Sequence, residues 1–168
     1  MGVGTDTLVP LAGNATPRPL LPQTKFSEIN TTFSPDGDWI AYESHESGIE
    51  IFVRPFPRVD TGRWQISTRG GENPVWSPDG REIFYETPLQ LMRVPVQPGP
   101  PFLAGAPEPL FSLNPYMGAG TLGVPYDVSK DGQRFLMIKG AATESSPSSS
   151  LVLVTHWFDE LRARVPIK

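Results

Sequence analysis

The chain has 168 residues, a formal net charge of −4 and no cysteine, a length that fits one domain able to bury a core without disulfide or metal staples. Its 14 Lys and Arg are scattered, so the basic stripe that phosphate neutralisation needs is missing and nucleic acid is excluded as a partner. Without cysteine there is neither a disulfide framework nor cysteine-ligated zinc, and the compartment, cytoplasm or periplasm, stays open.

In chain order, the opening MGVGTDTLVPLAGNATPRPL lacks the basic start and unbroken apolar run of a signal peptide. No later stretch approaches the roughly 20 apolar residues of a membrane span, so no membrane insertion is expected. Twenty prolines and sixteen glycines argue for turns and short strands rather than helices. Short runs of β-branched and aromatic residues follow one another: TLVPL (7–11), PRPLL (17–21), INTTF (29–33), WIAYE (39–43), EIFVR (50–54) and RWQIS (63–67). Then come NPVWS (73–77), EIFYE (82–86), LMRVPV (91–96), PEPLF (107–111), YDVS (126–129) and RFLMI (134–138). Gly, Pro, Asp or Ser bound most of them, the pattern of strands joined by tight turns. After the low-complexity stretch GAATESSPSSS (140–150) a last strand is expected at LVLVT (151–155). HWFDELRARV predicts a short helix over 156–165, with Trp157, Leu161 and Val165 on one face, acids early, arginines late and Pro166 as its stop.

The runs repeat. TTFSPDGDWIAYES (31–44), PVWSPDGREIFYET (74–87) and YDVSKDGQRFLMIK (126–139) superimpose without a gap, and their turn aspartates Asp36, Asp79 and Asp131 are 43 and 52 residues apart. A second element, TLVPL, FVRPF and MRVPV, recurs out of phase with the first at intervals of 45 and 40 residues. Four strands per period make an antiparallel meander that buries both faces only when stacked on its neighbours, which is the logic of a β-propeller blade. The fold class expected is therefore all-β: a partial β-propeller of four-stranded antiparallel blades, with a short C-terminal helix, in one domain spanning 1–168. Residues 28–70 and 71–115 are the whole blades. Residues 1–27 supply only the outer C and D strands of a partial blade, and 124–155 a partial blade that begins with A and B strands. That amounts to about three blade equivalents.

The FSPDGxxIxY pattern, the phrase DGQRFLMIK and the closing HWFDEL resemble the TolB-type, WD-repeat-like propeller repeats. They are similar in particular to the propeller at the C-terminal end of bacterial Ser/Thr protein kinase-like proteins. The resemblance covers nearly the whole chain and implies a bacterial protein and a fold more than a function. No VAIK-like or HRD-like stretch is present, so kinase activity is not implied. Propellers close with four to eight blades, and an open arc would leave strand edges and an apolar face in water. Two chains of three blade equivalents would give a six-bladed ring, so a homodimer is expected, with its seam intramolecular or swapped.

Ser-Pro-Asp-Gly reads as a hairpin turn, Asp36, Asp79 and Asp131 bonding the turn backbone and Gly37, Gly80 and Gly132 supplying positive φ. The glycines of GAGTLG (118–123) match a dinucleotide pattern, but no strand precedes them and no helix follows to hold a pyrophosphate. No Gly-x-Ser-x-Gly elbow occurs. The residues that enter the innermost strands from the other face are the candidate ligand-binding set: Glu28, Asn30, Glu72, Asn73, Tyr126 and Asp127. His45 and Glu46, on a neighbouring loop, are the candidates for catalysis, while His156 reads as a capping residue. No cofactor is expected unless Glu28, Glu72 and Asp127 hold calcium, which takes six to eight oxygens. The leading expectation is a non-catalytic module that binds a partner protein or small ligand. The alternative is a metal-dependent hydrolase of the phosphotriesterase or lactonase kind, an analogy at the level of the fold.

Overall fold

The structure, a computed structural model, describes residues 4, 6–11, 16–22, 24–114, 116 and 123–139. The strand expected at 151–155, the helix expected over 156–165, His156 and all of GAGTLG except Gly123 lie outside the described residues. Every described element is a β-strand, and every pair is antiparallel. No helix among the described residues is long and apolar enough to cross a membrane.

Four sheets follow one another. β1 (Thr7–Leu8) pairs with β2 (Arg18–Pro19). β3 (Glu28–Phe33), β4 (Trp39–Ser44), β5 (Glu50–Pro55) and β6 (Trp64–Gln65) form a four-stranded meander in chain order. β7 (Glu72–Trp76), β8 (Glu82–Glu86) and β9 (Gln90–Gln97) repeat it, and two strands share the outer edge of β9: β10 (Leu103–Ala104) at Gln97 and Val96, and β11 (Glu108–Ser112) from Arg93 to Gln90. β12 (Tyr126–Val128) pairs with β13 (Phe135–Met137). β10 is the departure from the sequence expectation. β9 is eight residues long, and β11, bulged between Pro109 and Phe111, covers only its first half.

Side chains alternate across a strand, so each meander has two apolar faces, and the cores lie between successive sheets. Ile40, Tyr42 and Phe52 meet Leu20 and Leu21, which follow β2. Ala41, Ile51 and Val53, on the opposite face, meet Trp76, Ile83, Tyr85, Met92 and Val94 of the next meander. Phe84 and Leu91 in turn meet Tyr126, Val128, Phe135 and Met137. Ile40, Ile51, Ile83, Leu91 and Val94 are fully buried, each contributing about 1.5–3 kcal/mol relative to exposure. The middle core is closed by Trp39, Trp64 and Phe102, whose ring centroids stand 4.9 to 5.6 Å apart.

The Ser-x-Asp-Gly turns have one geometry in all three copies. The glycine N–H donates to the serine carbonyl at 2.9, 2.9 and 2.7 Å for Gly37, Gly80 and Gly132, whose φ values are 78°, 71° and 68°. The serine Oγ of Ser34, Ser77 and Ser129 donates to the aspartate and accepts the N–H of Trp39, Glu82 and Arg134 across the hairpin. That serine bond, with a backbone N–H two residues on, holds the carboxyls of Asp36, Asp79 and Asp131 below the ordinary aspartate range. These turns occupy one end of the meanders; the first residues of β3 and β7 occupy the other.

Candidate functional site

β3 and β7 both open on a bulge. The pairing of β3 with β4 jumps from Ile29–Glu43 to Thr32–Ala41, and that of β7 with β8 from Glu72–Glu86 to Val75–Phe84. Inside each jump sits an asparagine at positive φ, Asn30 at 55° and Asn73 at 54°, a conformation that Asn tolerates and most side chains do not. Each carries its amide to a glutamate near the end of the adjacent strand: Asn30 Nδ2 donates to Glu43 Oε1 at 2.8 Å and Asn73 Nδ2 to Glu86 Oε2 at 3.0 Å. Glu43 Oε1 also accepts the Asn73 backbone N–H at 2.6 Å, and Asn30 Nδ2 stands 3.4 Å from Asn73 Oδ1. Beyond, the Tyr126 hydroxyl donates to the Asn73 carbonyl at 2.8 Å. A polar ladder thus crosses the two interfaces on either side of the sheet that β7 opens. Glu43, Asn73 and Glu86 are all at least 97% buried, where a carboxylate is tolerated only with donors around it. Burial, then the charge of Glu86, pushes the Tyr126 phenol well above its ordinary range, so it is a donor at any ordinary pH.

Around the ladder lies a more open rim. Glu72 is half-buried, and burial, followed by the charge of Glu43, raises its carboxyl, while His45 opposes the shift. His45 Nε2 stands 3.9 Å from Glu43 Oε2. The exposed Glu46 is held by Arg63 Nη1 at 2.7 Å, and the Arg63 guanidinium lies 3.7 Å from the centre of the Phe52 ring. On the face of β3–β6 opposite Glu43, the Tyr42 hydroxyl accepts from Arg54 Nε at 2.8 Å and from Arg63 Nε at 3.2 Å.

The residues proposed from sequence therefore separate. Asn30, Asn73 and Tyr126 belong to the ladder, and Glu72 and His45 flank it. Glu28 does not join them: in the 43-residue register it corresponds to Gly71, and Glu72 to Ile29. Glu28 is 3% exposed, its Oε2 has no hydrogen-bond partner, and burial raises its carboxyl against the pull of Arg54 and Arg63. Asp127 is exposed, and its Oδ1 accepts the adjacent Val128 N–H at 2.8 Å. Glu28, Glu72 and Asp127 are the set that the sequence offered for calcium. These three do not converge, and among the described residues no three His, Asp or Glu side chains are grouped to hold a metal ion. Glu43 and Glu86 were missed. They stand at equal positions in WIAYE and EIFYE, so the repeat carried a signal: a carboxylate recurring at the end of an apolar strand.

At this same end a groove of about 370 Å³ opens between the stretch leading into β7 and the β8–β9 turn. Tyr85 and Met92 line it with Thr68, Arg69, Thr87 and Leu89, an apolar surface with hydrogen-bonding groups beside it. A wider cleft, lined by Asp79, Arg81, Val96 and Leu103, lies at the turn end. The buried Ser67 hydroxyl donates to Glu50 and accepts the Ile51 N–H, which makes it a tie between strands. No protein-family model matches the chain, and no curated protein matches it at a significant level.

Proposed function

We propose that this chain is a partial β-propeller of the TolB-type, WD-repeat-like kind that serves as a non-catalytic binding module, taking a partner protein or small ligand on the end where β3 and β7 begin. Two chains assemble into a six-bladed ring. The observation that carries the reading is the groove over Tyr85 and Met92. Its volume falls in the range of small-ligand sites, and its mix of aromatic, thioether and hydroxyl groups suits a peptide side chain or a compact organic ligand. The buried carboxylates beside it receive amide hydrogen bonds from Asn30 and Asn73, which suits a scaffold more than acid–base work.

Light scattering tests the assembly: the reading expects twice the chain mass of 18.4 kDa, and a monomer overturns the ring. A thermal-shift screen of peptides and metabolites tests the binding, with Leu89→Asp in the groove expected to abolish any stabilisation seen. Turnover of activated phosphate or carboxylate esters that disappears in Glu28→Ala, Glu72→Ala or Asp127→Ala would instead establish a hydrolase.

A further inference from the structure

The repeat places equivalent side chains on the two faces of successive sheets. On the face toward the following sheet the equivalents are Ala41, Phe84 and Leu136, and on the face toward the preceding sheet they are Phe33, Trp76 and Val128. Ala41 packs in one core with Trp76, and Phe84 in the next core with Val128. That leaves Leu136 and Phe33. Leu136 is 73% exposed where Ala41 and Phe84 are at most 2%, and Phe33 is 45% exposed where Trp76 is 5%. Ile138, in the position of the buried Glu43 and Glu86, is 55% exposed.

The two uncovered patches lie on complementary halves. Among the described residues the first sheet has outer strands only, β1 and β2, which cover Ile40 and Tyr42 through Leu20 and Leu21 but leave Phe33 open. Among the same residues the last sheet has inner strands only, β12 and β13. We infer that β12–β13 of one chain docks its Leu136 and Ile138 face onto Phe33 of a second chain, filling the inner half of the sheet whose outer half is that chain's β1–β2. The inference rests on the ring proposed above and assigns its seam to a contact between chains. Two chains give two identical seams about a two-fold axis, the commonest arrangement for a soluble oligomer. The chemistry fits as well. Ile138 replaces the glutamate that serves the next strand's opening inside the chain, and at β3 that opening already has an acidic acceptor of its own, Asp6 Oδ2, 2.9 Å from Thr31 N. An apolar contact there leaves no carboxylate to satisfy.

The absence of cysteine makes the test direct. Phe33→Cys and Leu136→Cys are prepared as separate single variants, co-refolded in equal amounts and treated with a flexible bismaleimide, which does not demand disulfide geometry. The expected product is a covalent pair containing one chain of each kind, and neither variant alone gives it. A dimer by light scattering without that mixed product overturns this seam and leaves the ring standing. A monomer overturns the ring itself. In the double variant, a link confined to single chains overturns the inter-chain assignment. Leu136→Asp is expected to abolish the dimer while Leu103→Asp, also exposed but on β10, leaves it intact; circular dichroism identifies a variant that failed to fold.

Discussion

Asn73 is the point where the ladder bears most load, and three substitutions separate its roles. Its side chain donates to Glu86, its backbone N–H to Glu43, and its φ is 54°. Asn73→Gly keeps the backbone conformation and loses the side-chain bond. A hydrogen bond to a charged group contributes about 1.5–3 kcal/mol, so a loss of about 2 kcal/mol is expected. Asn73→Ala loses the same bond and must also hold a Cβ in the left-handed region, which adds about 1 kcal/mol. Asn73→Asp is nearly isosteric but sets a third carboxylate among Glu43 and Glu86; it is expected to be the least stable at pH 7 and to recover toward acid. Urea unfolding followed by tryptophan fluorescence, with unchanged m values, reads all three. If alanine proves as stable as glycine, the positive φ carries no energetic weight. If all three variants lie within about 0.5 kcal/mol of the parent, the ladder is incidental, since that is the range of ordinary surface changes.

Glu28→Gln should flatten the pH dependence of stability. The folded carboxyl titrates above its unfolded value, so its contribution is fully present below the unfolded pKa and is lost as pH rises through the folded one; an unchanged profile between pH 4 and 8 would show that Glu28 is not the cause. The turn aspartates act with the opposite sign: their lowered carboxyls contribute stability that disappears as pH falls through the folded values, and Asp36→Asn with Asp79→Asn should blunt the acid limb of a thermal-melt series. Gly71→Ala would put a methyl 2.7 Å from Ser67 Oγ and 2.9 Å from Ile51 Cγ1, an overpacking that costs about 1–3 kcal/mol. At the neighbouring Gly70, with nothing within 4 Å, alanine meets only the strain of φ 87°, so calorimetry should find it the milder change.

Much of the strand order could be read from local composition. Runs such as WIAYE and EIFYE are short, apolar and β-branched or aromatic, and the repeat fixes their register to one another. β10 escaped because Leu103–Ala104 is too short to show a period. The site was less legible for a physical reason. Asn30 and Asn73 were legible as residues at the strand openings, and the bulges that hold them arise from the pairing of β3 with β4 and of β7 with β8, which no single stretch encodes. Glu43 and Glu86 close apolar strands, and only the packing of successive sheets buries them. Glu28 and Glu72 were placed in one candidate set, yet a one-residue difference in register sends them to different surroundings, one beside Arg54 and Arg63, the other beside Glu43 and His45.

Because, among the described residues, the cores lie only between successive sheets, this part of the molecule behaves physically as a short one-dimensional chain of coupled units. The Glu43–Asn73 bond fastens the two middle units to each other with groups that are strong only when both are in place. Folding is then cooperative at the centre and loosens outward, and the end sheets, each of two strands among the described residues, are the first to fray. A binding partner that gripped an end sheet would act on the least stable part of the molecule, and would stiffen the array from that sheet inward.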